Sequence, residues 1–281
     1  MASFTVQRSG EPALACAVHF PENRPHATVL IIHGHGEHQG CYRHVIDAWL
    51  QRGFAIGIFD LRGHGNSQGK RSHITHFDDY VHDAQAVLAE LDRQGPWRDV
   101  GRPIIFGHSL GGLISIQLIL SAQANFRGLA MTSPYLGLAV KVSPIALWLG
   151  RTLSNAWPTF TLNTPVKSTV LTHDPEKKAE CDADTLRTSA VTARFFTEVE
   201  RVQRLTLSTA KDVRLPVYCL AAGDDRVVSV KTTERWFADL GSEEKELRVI
   251  PGAFHELFNE IDRARHLSAT ADCFERWAAK P

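Results

Sequence analysis

A serine flanked by glycines, Gly107-His108-Ser109-Leu110-Gly111, stands at the end of the apolar run Pro103-Ile104-Ile105-Phe106 and directly before another glycine, Gly112. G-x-S-x-G in that setting is the pattern of a sharp strand-to-helix turn that presents a serine hydroxyl. A hydroxyl is a weak nucleophile, so it must be exposed and it needs a base to take its proton. Small residues at 107 and 111 let the strand and the helix approach closely at such a turn. Ser109 is therefore the candidate nucleophile. Five residues alone recur by chance as a plain turn, so the reading depends on its partners.

A base that takes the serine proton needs a carboxylate to hold its tautomer and to stabilise its cation. Behind an elbow of this kind the order along the chain is serine, acid, histidine. The run VYCLAAG ends in Asp224-Asp225, and ELRVI leads through Pro251-Gly252-Ala253-Phe254 to His255. Both positions follow strand-like runs and keep the required order. His255 is the candidate base, and one of the two adjacent aspartates is the candidate acid. The oxyanion formed at an attacked carbonyl needs at least two fixed donors, each worth about 3 kcal/mol of barrier. One is expected to be the backbone N–H of Leu110, directly after the nucleophile.

The elements that position these residues are legible as an alternation. ATVLIIHG, FAIGIFD, PIIFG, GLAMT, VYCLAAG and ELRVI are strand-length runs, and the nearly continuous apolar ones match strands buried on both faces. HFDDYVHDAQAVLAELDRQ places Val81, Ala84, Val87, Leu88 and Leu91 near helical spacing, and LISIQLILSAQ is broadly apolar, as a buried helix would be. Strand-helix alternation predicts an α/β fold with a mostly parallel central sheet flanked by helices. Chemistry in such sheets sits at the carboxyl ends of the strands, where the motifs at 33–38, 60–65 and 107–112 all fall. A hairpin is expected around Ser9-Gly10-Glu11-Pro12. Between 135 and 205 the alternation stops and the chain is mainly helical in character. The expected organisation is a core of 1–134 and 206–281 with an inserted helical cap at 135–205.

Taken together, HGHGEHQGCY, DLRGHGNSQG, GHSLGG, AAGDDRVVS and PGAFHELFNE resemble the monoacylglycerol lipase and lysophospholipase branch of the α/β-hydrolase superfamily, the serine aminopeptidase S33-type hydrolases. The resemblance covers nearly the whole chain, the cap included. It implies an α/β-hydrolase fold and a serine carboxylic-ester hydrolase, with no cofactor, that acts on hydrophobic or lipid monoesters through an acyl-enzyme. Ser109 would attack the ester carbonyl, His255 would serve as base and then acid, and Asp225 would orient His255. Asp225 is preferred to Asp224 because Arg226-Val227-Val228 matches the family's basic residue and apolar pair after the acid. By the same resemblance the second oxyanion donor is the backbone N–H of His35. Family members hold a glycerol head with a glutamate in the oxyanion turn, an arginine four residues later, a cap tyrosine, and a histidine three after the catalytic one. Here Glu37 remains, while Cys41, Cys181 and Phe258 stand at the other positions. Glu37, Cys181 and Phe258 are thus the candidate substrate contacts, and a buried hydroxyl left unpaired there would cost about 1–3 kcal/mol. A broad-specificity carboxylesterase on non-lipid esters is the alternative.

Other function classes are weighed by composition and motif. Lys plus Arg and Asp plus Glu are equal at 31 each, without long blocks of one sign, so no nucleic acid partner is indicated. Five scattered cysteines, at 16, 41, 181, 219 and 273, suit a reducing compartment. The start MASFTVQRSGEPALACAVHF lacks a secretory pattern, and no run reaches the roughly 18 apolar residues of a spanning helix. The chain therefore reads as cytoplasmic. The apolar cap segment Ile145, Ala146, Leu147, Trp148 and Leu149 is expected to pack on the core, with an acyl chain or a membrane surface as its other partner. His33-x-His35-x-Glu37-His38 also matches the ligand pattern of dinuclear metallohydrolases. That rival needs the elbow, the acid and His255 all to be coincidences, so no metal is expected. DLRGHGNSQG lacks the lysine and Ser/Thr ending of a phosphate loop and reads as a structural turn beside the site.

Overall fold

The structure, a computed structural model, describes residues 1–139, 144–163 and 166–280. In chain order come β1 (Ala2–Val6), β2 (Leu14–His19), β3 (Ala27–Ile32), α1 (Arg43–Gln51), β4 (Phe54–Phe59), α2 (Asp78–Leu91), α3 (Gly95–Arg98), β5 (Ile104–His108), α4 (Leu110–Ser121) and β6 (Gly128–Thr132). They are followed by α5 (Pro144–Ala156), β7 (Thr161–Asn163), α6 (Pro175–Ala183), β8 (Ala190–Thr192) and α7 (Ala193–Ser208). The chain closes with β9 (Val217–Ala222), α8 (Val230–Ala238), β10 (Lys245–Ile250) and α9 (Arg263–Ala278).

Eight strands form one sheet in the order β1-β2-β4-β3-β5-β6-β9-β10. β1 with β2 and β2 with β4 are antiparallel, which includes the expected hairpin. Every other neighbouring pair is parallel. This is the α/β-hydrolase fold. The chain leaves β3 toward β4 on one side and returns to β5 on the other, so the carboxyl ends of β3 and β5 border the crevice where strand order reverses, the usual place for a ligand in open sheets. Their register pairs Ile32 with Gly107.

Period-2 alternation explains why the strands read as unbroken apolar runs. Leu30 and Ile32 of β3 join one core cluster with Val87 and Leu113, while Val29 and Ile31 join the other with Trp49 and Phe274. A slip of one residue would exchange the faces, so burial on both sides fixes the register. α4 is buried almost throughout because the sheet, α2 and α7 surround it. Each of its buried Leu and Ile side chains contributes about 1.5–3 kcal/mol.

The stretch between β6 and β9 adds an antiparallel β7–β8 pair, Leu162 opposite Val191, that its helical character did not announce. α7 runs through the expected boundary at 205. Its Phe195, Val199 and Val202 belong to the same buried cluster as the sheet residues, so this helix also walls the core. Trp148 and Leu149 of α5 are exposed, at 66% and 49%; the side chains of Ile145, Ala146 and Leu147 lie outside the described residues. Among the described residues, no helix is long and apolar enough to cross a membrane.

Candidate active site

Ser109 sits between β5 and α4 with φ 52° and ψ −115°, a conformation that costs a non-glycine residue energy. Four backbone bonds hold it there. Its N–H donates to Thr132 O at 3.0 Å, and its carbonyl accepts from Gly112 at 3.0 Å, Leu113 at 3.3 Å and Tyr135 at 2.9 Å. The flanking glycines are steric requirements. A Cβ at 107 would lie 2.4 Å from Gly111 O, and one at 111 would lie 1.9 Å from Ile32 O.

His255 follows β10, and its Nδ1 donates to Asp225 Oδ2 at 2.7 Å. The other carboxylate oxygen of Asp225 accepts from the N–H groups of Val227 at 2.8 Å and Val228 at 2.9 Å. Asp224 points outward instead and pairs with Arg226 at 3.0 Å. Burial works against both charges of the Asp225–His255 pair. Even so, the imidazolium and the two N–H donors hold Asp225 below the usual carboxyl range. Burial opposes the His255 cation, but the charge and hydrogen bond of Asp225, aided by Glu256 and Glu37, raise its pKa above the ordinary 6.5. With Nδ1 committed to Asp225, Nε2 is the lone-pair nitrogen. The ring of His108, the residue before Ser109, lies 4.9 Å from that of His255, which places the histidine beside the elbow.

The turn after β3 packs against the serine, since a Cβ on Gly34 would stand 3.3 Å from Ser109 Cβ. Gly34 O accepts from His33 Nδ1 at 2.7 Å and from Glu37 N–H at 3.3 Å. A carbonyl held by two donors in a trans peptide turns the following N–H, that of His35, to the opposite side. Leu110 N–H opens α4, where helical N–H groups have no partner within the helix. Among the described residues, neither N–H donates to another protein group. The His35 ring is engaged elsewhere, with Ser72 Oγ at 2.9 Å and Ala190 O at 3.1 Å, and burial pushes its pKa down to about 4.

The three histidines of the metal pattern do not converge. His33 uses both ring nitrogens, donating to Gly34 O and accepting from Leu61 N–H at 2.9 Å. His38 turns to the inserted segment, with Nε2 on Asp184 Oδ2 at 2.7 Å and Nδ1 accepting from Gly40 N–H at 3.1 Å. The donor atoms that do approach one another, within 4.8 Å, are those of His38, Cys41 and Asp184. There the accepting Nδ1 leaves the proton on Nε2, directed at Asp184, where a ligand would need a lone pair.

The family model described as serine aminopeptidase, S33 matches residues 23–262. The chain belongs to this family. It is a hydrolase of the α/β-hydrolase class. Phospholipase YtpA of Bacillus subtilis is 29% identical over 86% of the chain and 92% of its own length. A monoacylglycerol lipase of Mycolicibacterium smegmatis is 27% identical over 86% of both chains. The crystal structure of Paleococcus ferrophilus monoacylglycerol lipase superposes with a TM-score of 0.85 at 24% identity, over 94% of this chain and 99% of that one.

Within this S33 fold the motif at 60–65 is structural. Asp60 accepts from Gln39 and Asn66 N–H groups, both at 2.7 Å, and Arg62 forks onto Asp83 at 2.6 and 2.7 Å. Glu37 is buried, and its Oε2 accepts from Gly34 N–H and Tyr42 O–H, both at 2.7 Å. Burial alone would raise its pKa, yet His108, Arg187 and the Tyr42 hydroxyl bring it down to about 2. Cys41 and Phe258 line a cavity of about 20 Å³ next to Glu37, room for one water molecule. Phe258 itself is only 7% exposed. Its ring stacks on Phe106 at 5.3 Å and is core. Cys181 accepts a hydrogen bond from Arg187 Nη1.

Arg187 is the residue that sequence reasoning missed. With cysteine at 41 the motif leaves Glu37 without its expected arginine, and the structure supplies a guanidinium from the inserted segment, 3.1 Å from Glu37 Oε1. The only signal for it was indirect, in that a buried carboxylate must be paired.

Proposed function

We propose that the protein hydrolyses carboxylic monoesters with a hydrophobic acyl chain, monoacylglycerols or lysophospholipids, through an acyl-enzyme on Ser109. The observation that carries this reading is the Asp225–His255 hydrogen bond of 2.7 Å beside the strained Ser109 turn. In this mechanism His255 Nε2 takes the Ser109 proton as Oγ attacks the ester carbonyl. The N–H groups of His35 and Leu110 receive the oxyanion, and Asp225 stabilises the imidazolium. His255 then returns the proton to the departing alcohol. Water, activated by the same nitrogen, releases the acid. The names of the relatives, phospholipase and monoacylglycerol lipase, support a lipid ester as the small-molecule substrate.

In the same proposal residues 135–205 form a cap, with α7 as its stem, and Glu37, Cys181 and Phe258 border the alcohol side of the substrate. Trp148, Leu149, Trp157, Leu162 and Val166 are exposed large apolar side chains of this stretch. Their exposure supports peripheral contact with a lipid surface. One observation favours the second reading, a carboxylesterase of broad specificity: Phe258 and Cys41 offer the cavity beside Glu37 little hydrogen bonding. Hydrolysis of a monoacylglycerol, the matched-chain lysophosphatidylcholine and a short aryl ester, each corrected with Ser109→Ala protein, separates the two. Preference for either lipid supports the first reading, and turnover of the aryl ester alone supports the second.

A further inference from the structure

Arg187 lies on the inserted segment, yet it bonds two loops of the rim. Its Nη2 donates to Glu37 Oε1 at 3.1 Å and to Glu256 Oε1 at 2.8 Å. Glu37 in turn holds Gly34 N–H at 2.7 Å, in the turn that aims the N–H of His35. Glu256 directly follows His255, and its other oxygen accepts from Asn259 Nδ2 at 2.6 Å. The next residue of the segment continues the seam, with Thr188 N–H donating to Gly36 O at 3.1 Å. A Cβ on Gly36 would come within 2.4 Å of Thr188 O, so the segment lies directly on the turn. From the other side, Glu256 N–H donates to Leu171 O at 2.8 Å.

We propose that Arg187 is a positioning residue that keeps the oxyanion turn in register with the His255 loop, so that docking of the inserted segment completes the donor array. The proposal rests on the ester-hydrolase reading of Ser109. Its physical basis is the pair of carboxylates, only 6% and 7% exposed, that face one cation. One arm of the guanidinium, Nη2, serves both carboxylates while the other, Nη1, is held by Cys181 Sγ, which fixes the plane of the fork; a lysine ammonium is a compact point charge without that second arm. Without the guanidinium the two desolvated carboxylates repel, and the Glu37 anchor on Gly34 loosens. Misplacing reacting groups by about 1 Å costs about 10²-fold in rate.

The test uses phenyl butyrate, whose leaving group carries no hydroxyl or nitro oxygen to accept a hydrogen bond from Arg187, so that a lost head-group contact cannot mimic lost positioning. Arg187→Ala is expected to lower kcat about 10²-fold with KM within about threefold, and added methylguanidinium to recover at least about tenfold of the loss. Arg187→Lys, which keeps the charge without the fork, is expected to lose about tenfold. If Arg187→Ala melts before assay temperature, the lysine variant decides alone. Undiminished kcat in the variant that decides, a rise confined to KM, or a folded alanine variant that methylguanidinium does not restore would overturn the proposal. Labelling by a fluorophosphonate keeps the two readings apart. Wild type labelled at Ser109 with an undiminished Arg187→Lys kcat removes only the positioning role, and an unlabelled wild type removes both.

Discussion

The sheet and the segment inserted between β6 and β9 are held by different forces. Under the rim, apolar side chains are buried on both faces, and the Ser109 turn is fixed by four backbone hydrogen bonds. Apart from α7, the insertion meets the rim largely through polar links. These are His38 with Asp184, Arg187 with Glu37 and Glu256, His35 with Ala190, and Thr172 Oγ1 with Asn259 O. Its large apolar side chains at 148, 149 and 157 face outward instead. Apolar burial is strong and non-directional, so it suits a scaffold that must not move. Hydrogen bonds contribute about 0.5–1.5 kcal/mol each, or about 1.5–3 kcal/mol where a partner is charged, and being directional they suit a piece whose position matters more than its rigidity.

The largest expected effect is on the rim. Ser109→Ala should lower turnover by about 10⁴-fold or more without moving the melting temperature, because the turn rests on backbone bonds; residual turnover near wild type would end the triad assignment. Next comes the contrast between neighbours. Asp225→Asn should cost about 10³–10⁴-fold in kcat, whereas Asp224→Asn, which loses only an exposed pair with Arg226, should stay within about twofold. Equal losses would mean that His255 is not oriented as described.

The acid dependence follows from the same pair. Protonated His255 cannot take the serine proton, and Asp225 raises its pKa above 6.5. The rate should therefore be complete on the alkaline side and fall about tenfold per pH unit below that raised value. A kcat/KM profile flat from about pH 5 to 8 would rule His255 out as the base.

The smallest effects sharpen the contrast between scaffold and insertion. Ile116→Ala, a fully buried side chain of α4, should destabilise by about 2–5 kcal/mol in denaturant titration. Trp148→Ala should change stability by no more than about 0.5 kcal/mol and instead weaken co-sedimentation with vesicles. If the two variants exchanged these phenotypes, the division of labour would be reversed.

What was legible along the chain was what neighbouring residues settle among themselves. Val29 to Ile32 must alternate between two buried faces, so the strand and its double burial are written in four consecutive residues. Gly107 and Gly111 are present because any Cβ would strike backbone, which makes the elbow a local motif. The order of Ser109, Asp225 and His255 follows from strands that all deliver their carboxyl ends to one rim, although choosing Asp225 over Asp224 needed family resemblance at positions 226–228. What only the tertiary structure decided involves residues that meet after long separations. Arg187 reaches Glu37 across 150 residues, the β7–β8 pair forms inside an insertion without strand-length runs, and the ring of Phe258 stacks in the core. α7 likewise crosses the expected boundary at 205: it packs on α5 of its own segment, yet its Phe195, Val199 and Val202 are buried in the cluster that also holds α4. Periodicity and local sterics repeat along the chain and can be read there. The partner of a buried charge or of an apolar helix face is whichever group folding brings opposite it.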